Sequence, residues 1–220
     1  MEFRELFDGV YKIDGKLATE SMAKGIRVYN EDSIVHSGRE YRTWNPYRSK
    51  LSAALLNGMK NMNISRNGNV LYLGAATGTT VSHVSDIVGP KGRVYAIELS
   101  ERNMRSLIEV CAHRKNVLPV LADASNSSAY SEYIDGECDA IYQDVSAKKQ
   151  AGILLENSRF LKSGGYAYFV IKSQSIDISA DPKDVYKSEL EKLDGAFELV
   201  ERLSLEPYDS MHLFAVLKKV

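Results

Sequence analysis

The sequence predicts an α/β protein with a mostly parallel, seven-stranded, doubly wound sheet, preceded by a small antiparallel β subdomain. Three observations lead to this fold class. Apolar strand patterns alternate with helical patterns from residue 70 onward, a glycine-rich turn follows the first of these strands, and no helix separates the last two strand patterns. Strands joined by helices form parallel sheets, whereas two strands joined by a short turn pair antiparallel.

Residues 1–45 are predicted to form the small β subdomain. Their alternating runs are separated by turn signals, of which Asp14-Gly15 and Ser37-Gly38 are the clearest. The runs are Val10–Ile13, Leu17–Thr19, Ile26–Tyr29, Ser33–Val35 and Glu40–Thr43. Asn45-Pro46 then predicts the cap and first turn of a helix reaching about Met62, which opens a second domain over residues 46–220.

The second domain contributes the seven strands of the main sheet. They are predicted at Val70–Gly74, Arg93–Glu98, Val117–Asp123, Ala140–Asp144, Tyr166–Lys172, Phe197–Leu205 and Met211–Lys218. The first five are parallel, and the last two form an antiparallel hairpin. Ligands of such sheets bind at the carboxyl ends of the parallel strands. We therefore expect the functional residues at those ends.

The turn after the first strand predicts the kind of cofactor. A G-x-G-x-x-G loop needs its second glycine so that the backbone can approach a pyrophosphate. Ala76 stands at that position and Thr79 at the position of the third glycine. The turn therefore favours S-adenosylmethionine, which has no phosphate. The candidate cofactor-binding residues of this segment are Gly74, Ala75, Thr77, Gly78, Thr79 and Thr80, the last two opening a helix whose N–H groups suit a carboxylate.

Acidic residues end the next two strands. Glu98 lies about twenty residues past the turn, where a carboxylate accepts ribose hydroxyls. Ser100 already caps the following helix, which weakens a purely capping role for Glu98. Asp123 is expected to bind the adenine edge, with a turn-forming role as an equal alternative. Adjacent residues complete the predicted cofactor site: Leu99, Ala124, Val145, Ser146 and Ala147.

Asp144 and Lys172 end adjacent strands, so their side chains are expected to meet over the transferred methyl group. An exposed ion pair there would contribute little. Lys172, however, follows the apolar run Tyr166–Ile171 and is expected to be partly desolvated. Such a lysine would suit an acceptor with a weakly acidic hydroxyl.

Composition limits the remaining possibilities. The chain is 44% hydrophobic and 26% charged, as globular proteins are, and no apolar run is long enough to span a membrane. Cys111 and Cys138 have no metal-ligand spacing, so buried reduced thiols and a cytoplasmic location are expected, with no metal site. A net charge of −1 argues against binding nucleic acid by bulk charge, so a local basic patch or partners must supply the attraction.

The segment Arg39–Lys50 interleaves cations with aromatic side chains. This pattern suits contact with RNA through charge and stacking. The alternative is that Trp44 and Tyr47 are core anchors between the two subdomains, and the sequence leaves both interpretations open.

Three segments resemble fibrillarin: Leu73–Asp86, Trp44–Leu51, and Glu206-Pro207-Tyr208 with a following histidine. The resemblance extends over nearly the whole chain, and the fold it implies is the class I S-adenosylmethionine-dependent methyltransferase fold. Without a glycine-arginine-rich arm, the chain is similar to the archaeal form. The implied activity is ribose 2′-O-methylation of rRNA, and possibly tRNA, directed by box C/D guide RNA.

The resemblance also implies a catalytic tetrad of Lys50, Asp144, Lys172 and His212. The implied partners are the guide RNA, the substrate RNA, a Nop-domain scaffold protein and a kink-turn-binding protein of ribosomal type. The chain departs from the family pattern at Leu99, where phenylalanine is usual, and over Val145–Lys148. Two alternatives remain: a small-molecule O-methyltransferase, often metal-dependent, and a binding module without catalysis.

Overall fold

The structure, a computed structural model, describes residues 1–220. The N-terminal sheet is antiparallel with strand order β1-β2-β3-β5-β4. Its strands are β1 (Phe3–Phe7), β2 (Val10–Ile13), β3 (Lys16–Glu20), β4 (Ser33–His36) and β5 (Arg39–Thr43). Both predicted hairpin turns are confirmed. Asp14, Gly15, Ser37 and Gly38 all have positive φ, as two-residue turns of this hand require.

One predicted strand of this sheet is wrong: Ile26–Tyr29 forms a loop. The backbone N–H groups of Val28 and Tyr29 donate to the carboxylate of Glu31 at 2.8–3.0 Å. Glu31 is buried and ion-paired with Arg42. Because this carboxylate binds the N–H groups that a strand would pair with a neighbour, the alternating pattern does not join the sheet.

The main sheet has the order β11-β12-β10-β9-β6-β7-β8, with β10 to β8 parallel and the last two strands antiparallel, and it confirms the predicted fold class. Its strands are β6 (Asn69–Leu73), β7 (Arg93–Glu98), β8 (Val117–Leu121), β9 (Cys138–Gln143), β10 (Leu161–Lys172), β11 (Phe197–Ser204) and β12 (His212–Lys219). The helices are α1 (Lys50–Leu56), α2 (Thr79–Val88), α3 (Glu101–Ala112), α4 (Gln150–Asn157), α5 (Ser173–Ile176) and α6 (Pro182–Glu191). Short 3₁₀ helices cover Ser127–Tyr133 and Ser158–Phe160.

The first helix begins later than predicted. Asn45 Oδ1 accepts from Tyr47 N at 2.9 Å, so Asn45-Pro46 forms a turn rather than a helix cap. Ser49 is the actual cap, and its side chain accepts from Ser52 N. The helix also ends at Leu56, well before Met62. Lys50 is therefore the first residue of α1, and it follows the turn at Asn45-Pro46 and the cap residue Ser49.

The two sheets are joined by a shared core. Val10, Leu17 and Trp44 are buried in the same hydrophobic cluster as residues of the main sheet. No backbone gap or linker marks residue 45, so the domain boundary there stays a prediction. Both cysteines are free thiols, and none of the helices is long and apolar enough to cross a membrane.

Candidate active site

The glycine turn after β6 brings the ends of two strands together. A Cβ atom at Gly74 would lie 2.6 Å from the carbonyl oxygen of Asp144, closer than real Cβ contacts. Gly74 also has φ +84°, and Asp144 N donates to Leu73 O at 3.0 Å. Only glycine at position 74 therefore lets the end of β9 approach the turn this closely.

A cavity of about 360 Å³ opens at this edge of the sheet, within the range of small-molecule sites. Nine of the predicted cofactor-site residues line it: Gly74, Glu98, Leu99, Asp123, Ala124, Asp144, Val145, Ser146 and Ala147. It has six further lining residues, which the sequence analysis missed: Ala76, Ile97, Ser100, Asn103, Ala122 and Ile153. Of these six, only Asn103 could have been expected at the cavity from the sequence, because it lies one helical turn after the cap residue Ser100.

Five predicted cofactor residues do not line this cavity. Ala75 and Gly78 pack inward, where a Cβ at Gly78 would lie 3.1 Å from Leu107 Cδ1. Thr80 is buried and lies 2.9 Å from the Ser49 hydroxyl. Thr77 and Thr79 line a separate polar cavity behind the turn. The roles of these residues toward a cofactor stay predictions.

Glu98 is held rigidly at the cavity wall. Its Oε2 accepts from Ala76 N at 2.7 Å, and its Oε1 accepts from Ser100 N at 2.8 Å and from Asn103 Nδ2 at 3.3 Å. A carboxylate oxygen accepts about two hydrogen bonds, so Oε2 keeps one free position toward the cavity. Ser100 caps α3, as predicted. Glu98 therefore supports the turn and can still bind a hydroxyl.

Asp123 does not end its strand, since β8 stops at Leu121. Its Oδ1 accepts from Ser125 N at 2.8 Å, which is the predicted turn-forming role. The side chain also lines the cavity, and Oδ2 is free. The two interpretations that the sequence left open are thus compatible.

Asp144 lies between two lysines. Its Oδ2 is 3.0 Å from Lys50 Nζ, and its Oδ1 is 2.7 Å from Lys172 Nζ. Lys172 also donates to the carbonyl of Asp144 and to the Ser146 hydroxyl. The three side chains are only 13–21% exposed. The structure thus brings together three members of the predicted tetrad around one carboxylate.

His212, the fourth member, pairs with Lys172 across β10 and β12. Directly opposite residues of an antiparallel pair share one face of the sheet. The imidazole does not hydrogen-bond to the other three residues. Instead, Nδ1 lies 2.5 Å from Oδ1 of Asp209, a partner that the sequence analysis missed. His212 is therefore next to the three-residue cluster without being bonded to it.

The charges of the large cavity indicate its ligand. Glu98, Asp123 and Asp144 line it, and Lys172 is the one basic residue among the lining residues. Excess negative charge disfavours a pyrophosphate and favours a cation with hydroxyl donors. About half of the lining is apolar, which suits a purine ring. The residues therefore fit S-adenosylmethionine, whose sulfonium is positively charged.

The family model for fibrillarin matches residues 1–220. The chain belongs to the fibrillarin family. Among curated relatives, the fibrillarin-like rRNA/tRNA 2′-O-methyltransferase of Thermococcus gammatolerans is 47% identical over 219 residues, which cover 97% of this chain and 96% of the relative. The resemblance identified from the sequence motifs is confirmed.

Two solved structures of the fibrillarin family superimpose over nearly the whole chain. Aeropyrum pernix fibrillarin, solved with natively bound S-adenosyl-L-methionine, has a TM-score of 0.88 and 40% identity, covering 99% of each chain. The fibrillarin of a fibrillarin/Nop5p complex has a TM-score of 0.89 and 41% identity, covering 99% of this chain and 100% of that chain.

A smaller cavity, of about 110 Å³, also has Asp144 in its lining in this fibrillarin-family chain. Lys50, Thr80, Tyr208 and Asp209 are among the lining residues. The Asp144 carboxylate thus stands where the large and the small cavity meet. No three His, Cys, Asp or Glu side chains lie close enough together to hold a metal ion.

The Asp144 carboxylate of this fibrillarin-family site is expected to stay charged in acid. Burial by itself raises the pKa of Asp144, but the ammonium groups of Lys50 and Lys172 outweigh burial and hold the pKa below its ordinary value. The contribution of this charged carboxylate to the free energy of unfolding is therefore fully present above about pH 3.9, the ordinary pKa of an unfolded aspartate. It is lost only as the pH falls through the lower pKa of Asp144 in the folded chain. Carboxyl ¹³C NMR should show Asp144 titrating below that value.

Lys50→Ala should move this Asp144 titration to higher pH, because one of the two stabilising charges is removed. Lys60→Ala is the control, since Lys60 is exposed and forms no ion pair. An unchanged Asp144 titration in Lys50→Ala would show that the cation contributes nothing to it.

Proposed function

We propose that this chain transfers a methyl group from S-adenosylmethionine to the 2′-oxygen of ribose in rRNA, and possibly in tRNA, under the direction of a box C/D guide RNA. The observation that carries the proposal is the position of Asp144, which lines both the large cofactor cavity and the small cavity and has a lysine on each carboxylate oxygen. The fibrillarin-like relatives at up to 47% identity, which are named for this activity, support it.

The large cavity and the small cavity at Asp144 have different linings, which indicate a different ligand for each. The cofactor, when bound, supplies a methyl group carried on a positively charged sulfur. Glu98 and Asp123 would hold its ribose and adenine, and Leu99, which is 67% exposed at the cavity wall, would cover the ring. The small cavity beside Lys50 would then receive the acceptor ribose.

The two ammonium groups prepare the acceptor oxygen. A 2′-hydroxyl is a very weak acid, so attack requires stabilisation of the negative charge that develops on its oxygen. Lys172 would orient this hydroxyl and stabilise the negative charge on its oxygen as the proton passes to solvent, while Asp144 holds the Lys50 and Lys172 ammonium groups in place at 2.7–3.0 Å. His212, held by Asp209, completes the polar ring near the acceptor. Positioning the two reactants in line contributes much of the remaining rate enhancement.

We propose that the chain works inside a ribonucleoprotein in the cytoplasm. A Nop-domain scaffold protein is one proposed partner, because the fibrillarin of the fibrillarin/Nop5p complex is 41% identical. The guide RNA and a kink-turn-binding protein complete the proposed assembly and would deliver the substrate to a protein of net charge −1. The two free cysteines suit a reducing compartment.

Methyl transfer from labelled S-adenosylmethionine tests this proposal. The chain is mixed with the scaffold protein, the kink-turn-binding protein, a guide RNA and a complementary RNA. The expected product is RNA labelled at the single ribose that the guide specifies. A target strand with 2′-deoxyribose at that nucleotide is the matched control and should stay unlabelled. Absence of transfer by the full assembly, or transfer to the deoxy strand, would refute the assigned reaction.

Glu98→Ala is expected to weaken S-adenosylmethionine binding roughly ten- to a hundredfold, because the hydroxyls lose a charged acceptor. Isothermal titration calorimetry measures the dissociation constant. Glu101→Ala is the control, because Glu101 is exposed and does not line the cavity. Equal affinities of the two variants for S-adenosylmethionine would show that Glu98 does not bind the cofactor.

A further inference from the structure

A polar cavity of about 350 Å³ is lined by Thr77 and Thr79 of the glycine turn and shares no lining residue with the cofactor cavity. It is bounded by the loop over residues 26–29 and by the second half of α3. The residues of interest in its lining are Arg27, Arg48, Thr77, Thr79, Glu109 and His113. The hydroxyls of Thr77 and Thr79 thus belong to this cavity, and the cofactor loop has polar side chains on a second face.

The cavity is lined by two arginines that have no ion-pair partner. Arg27 and Arg48 are exposed, and neither forms an ion pair. The lining also contains the acid Glu109, which pairs with neither arginine. Arg114 reaches the cavity too, but its guanidinium is already bound to Asp86 at 2.5 Å. An arginine guanidinium presents N–H donors in a fork that matches the oxygens of a phosphate. Two free guanidiniums beside threonine hydroxyls favour a phosphate ligand.

Arg48 connects this cavity to the site of chemistry. It lines both the polar cavity and the small cavity at Asp144. Its guanidinium lies 5.7 Å from the centre of the Tyr29 ring, which fixes its direction. Tyr47, the preceding residue, is 69% exposed and packs edge-to-face on Tyr208 at 5.1 Å. Arg48 therefore borders both the acceptor cavity and the polar cavity that contains Arg27.

We propose that the RNA strand whose ribose reaches Asp144 continues across Arg48 into this cavity, where Arg27, Arg48, Thr77 and Thr79 bind one of its backbone phosphates. This inference rests on the proposed function, because it extends the acceptor strand that the function requires. It also identifies the local basic patch that a chain of net charge −1 needs to hold a polyanion. Phosphate contacts position a strand without reading its sequence, which leaves target choice to the guide.

Arg27→Ala tests the phosphate site in the full assembly of chain, scaffold protein, kink-turn-binding protein and guide RNA. The KM for the target RNA should rise roughly tenfold, as for one lost charge-assisted contact. The slope of log affinity against log salt concentration should fall by about 1. The affinity for S-adenosylmethionine should not change, because Arg27 does not line the cofactor cavity.

Arg159→Ala is the matched control. Like Arg27, Arg159 is exposed and forms no ion pair, and it is absent from the lining of these cavities. Its KM and salt slope should equal those of the unaltered chain. If Arg27→Ala and Arg159→Ala give the same KM and the same salt slope, the phosphate site is refuted.

A series of target RNAs, each with one backbone phosphate replaced by neutral methylphosphonate, locates the contact. One position near the target ribose should weaken binding to the unaltered chain and have no further effect on Arg27→Ala. Additive effects at every position would overturn the proposal. This outcome differs from failure of the proposed function, in which even the unaltered assembly transfers no methyl group to unmodified RNA.

Discussion

Lys172→Ala is expected to lower the rate of methyl transfer about 100- to 10,000-fold, the range for losing a group that assists proton transfer. Lys172 Nζ lies 2.7 Å from Asp144 Oδ1 and is one of the two ammonium groups paired with this carboxylate, which lines both the cofactor cavity and the proposed acceptor cavity. Without it, the developing negative charge on the 2′-oxygen loses a neighbouring ammonium. Single-turnover transfer at saturating S-adenosylmethionine measures the effect on the chemical step.

Lys162→Ala is the control for this experiment. Lys162 lies on the same strand, β10, and is also paired with an aspartate, Asp139, at 2.5 Å, but at the opposite end of the sheet. It should transfer methyl groups at the normal rate. Lys172→Arg keeps the positive charge in a larger, planar group that cannot take the place of the compact ammonium between Asp144 and Ser146, so we expect it to remain strongly impaired. A Lys172→Ala variant as active as Lys162→Ala would exclude Lys172 from the reaction.

Asp86→Ala is expected to lower the free energy of unfolding by about 3–5 kcal/mol, because it leaves the buried Arg114 without an acidic partner and Arg42 with Glu31 alone. The Asp86 carboxylate is ion-paired with Arg42 at 2.7 Å and with Arg114 at 2.5 Å. It also accepts from Thr19 Oγ1 and Met22 N. Both arginine side chains are 1% exposed, so neither can turn to water when the carboxylate is removed. Equilibrium denaturation in guanidinium chloride measures the loss.

Asp8→Ala is the matched control, because Asp8 is paired with Arg66 at 3.0 Å on the surface with 47% of its side chain exposed. Such a pair contributes about 0–1 kcal/mol. If Asp86→Ala lowers the free energy of unfolding no more than Asp8→Ala does, the buried network of Asp86, Arg42 and Arg114 does not hold the two sheets together.

The Asp86 network also supports the active site. Thr19 donates its single hydroxyl hydrogen to the Asp86 carboxylate, so it accepts from Nδ1 of His83. Burial, together with the nearby arginines, holds the pKa of His83 well below its ordinary value, and the ring is neutral. Trp44 stacks on this ring with 4.8 Å between centroids. Six residues beyond Trp44 stands Lys50, so loosening the network is expected to displace this cation as well.

The strand ends were predictable from the sequence because parallel strands place their carboxyl ends at one edge of a sheet. Glu98, Asp144 and Lys172 each follow an apolar run, and their proximity then depends only on strand order. The rejection of a diphosphate at the turn was likewise readable from Ala76 and Thr79. The loop residues were not predictable in this way. Thr77 and Thr79 follow the same turn as Gly74, yet their direction depends on the packing of Gly78 against α3.

The segment Arg39–Lys50 illustrates the same limit, because its two singled-out aromatic residues, Trp44 and Tyr47, have opposite environments. Trp44 is buried in the core shared by the two sheets, whereas Tyr47 is 69% exposed beside the acceptor cavity. The turn at Asn45-Pro46 rotates the chain between them, and such a turn leaves no periodic pattern that could assign each ring to a side.

The sequence by itself determined the fold class, the cofactor type and the family, and it predicted that Lys50 and Lys172 meet at Asp144. The fold class, the cofactor type and the meeting of Asp144 with Lys172 follow from local patterns: apolar periodicity, the spacing of glycines, and polar residues directly after strands. The family and the role of Lys50 follow from the resemblance of three motifs to fibrillarin. Only the tertiary structure decided that Asp209 holds His212, that Glu31 prevents a strand, and that the glycine turn borders a second polar cavity. These features join side chains from separate elements, and their contacts depend on packing distances that no local pattern encodes.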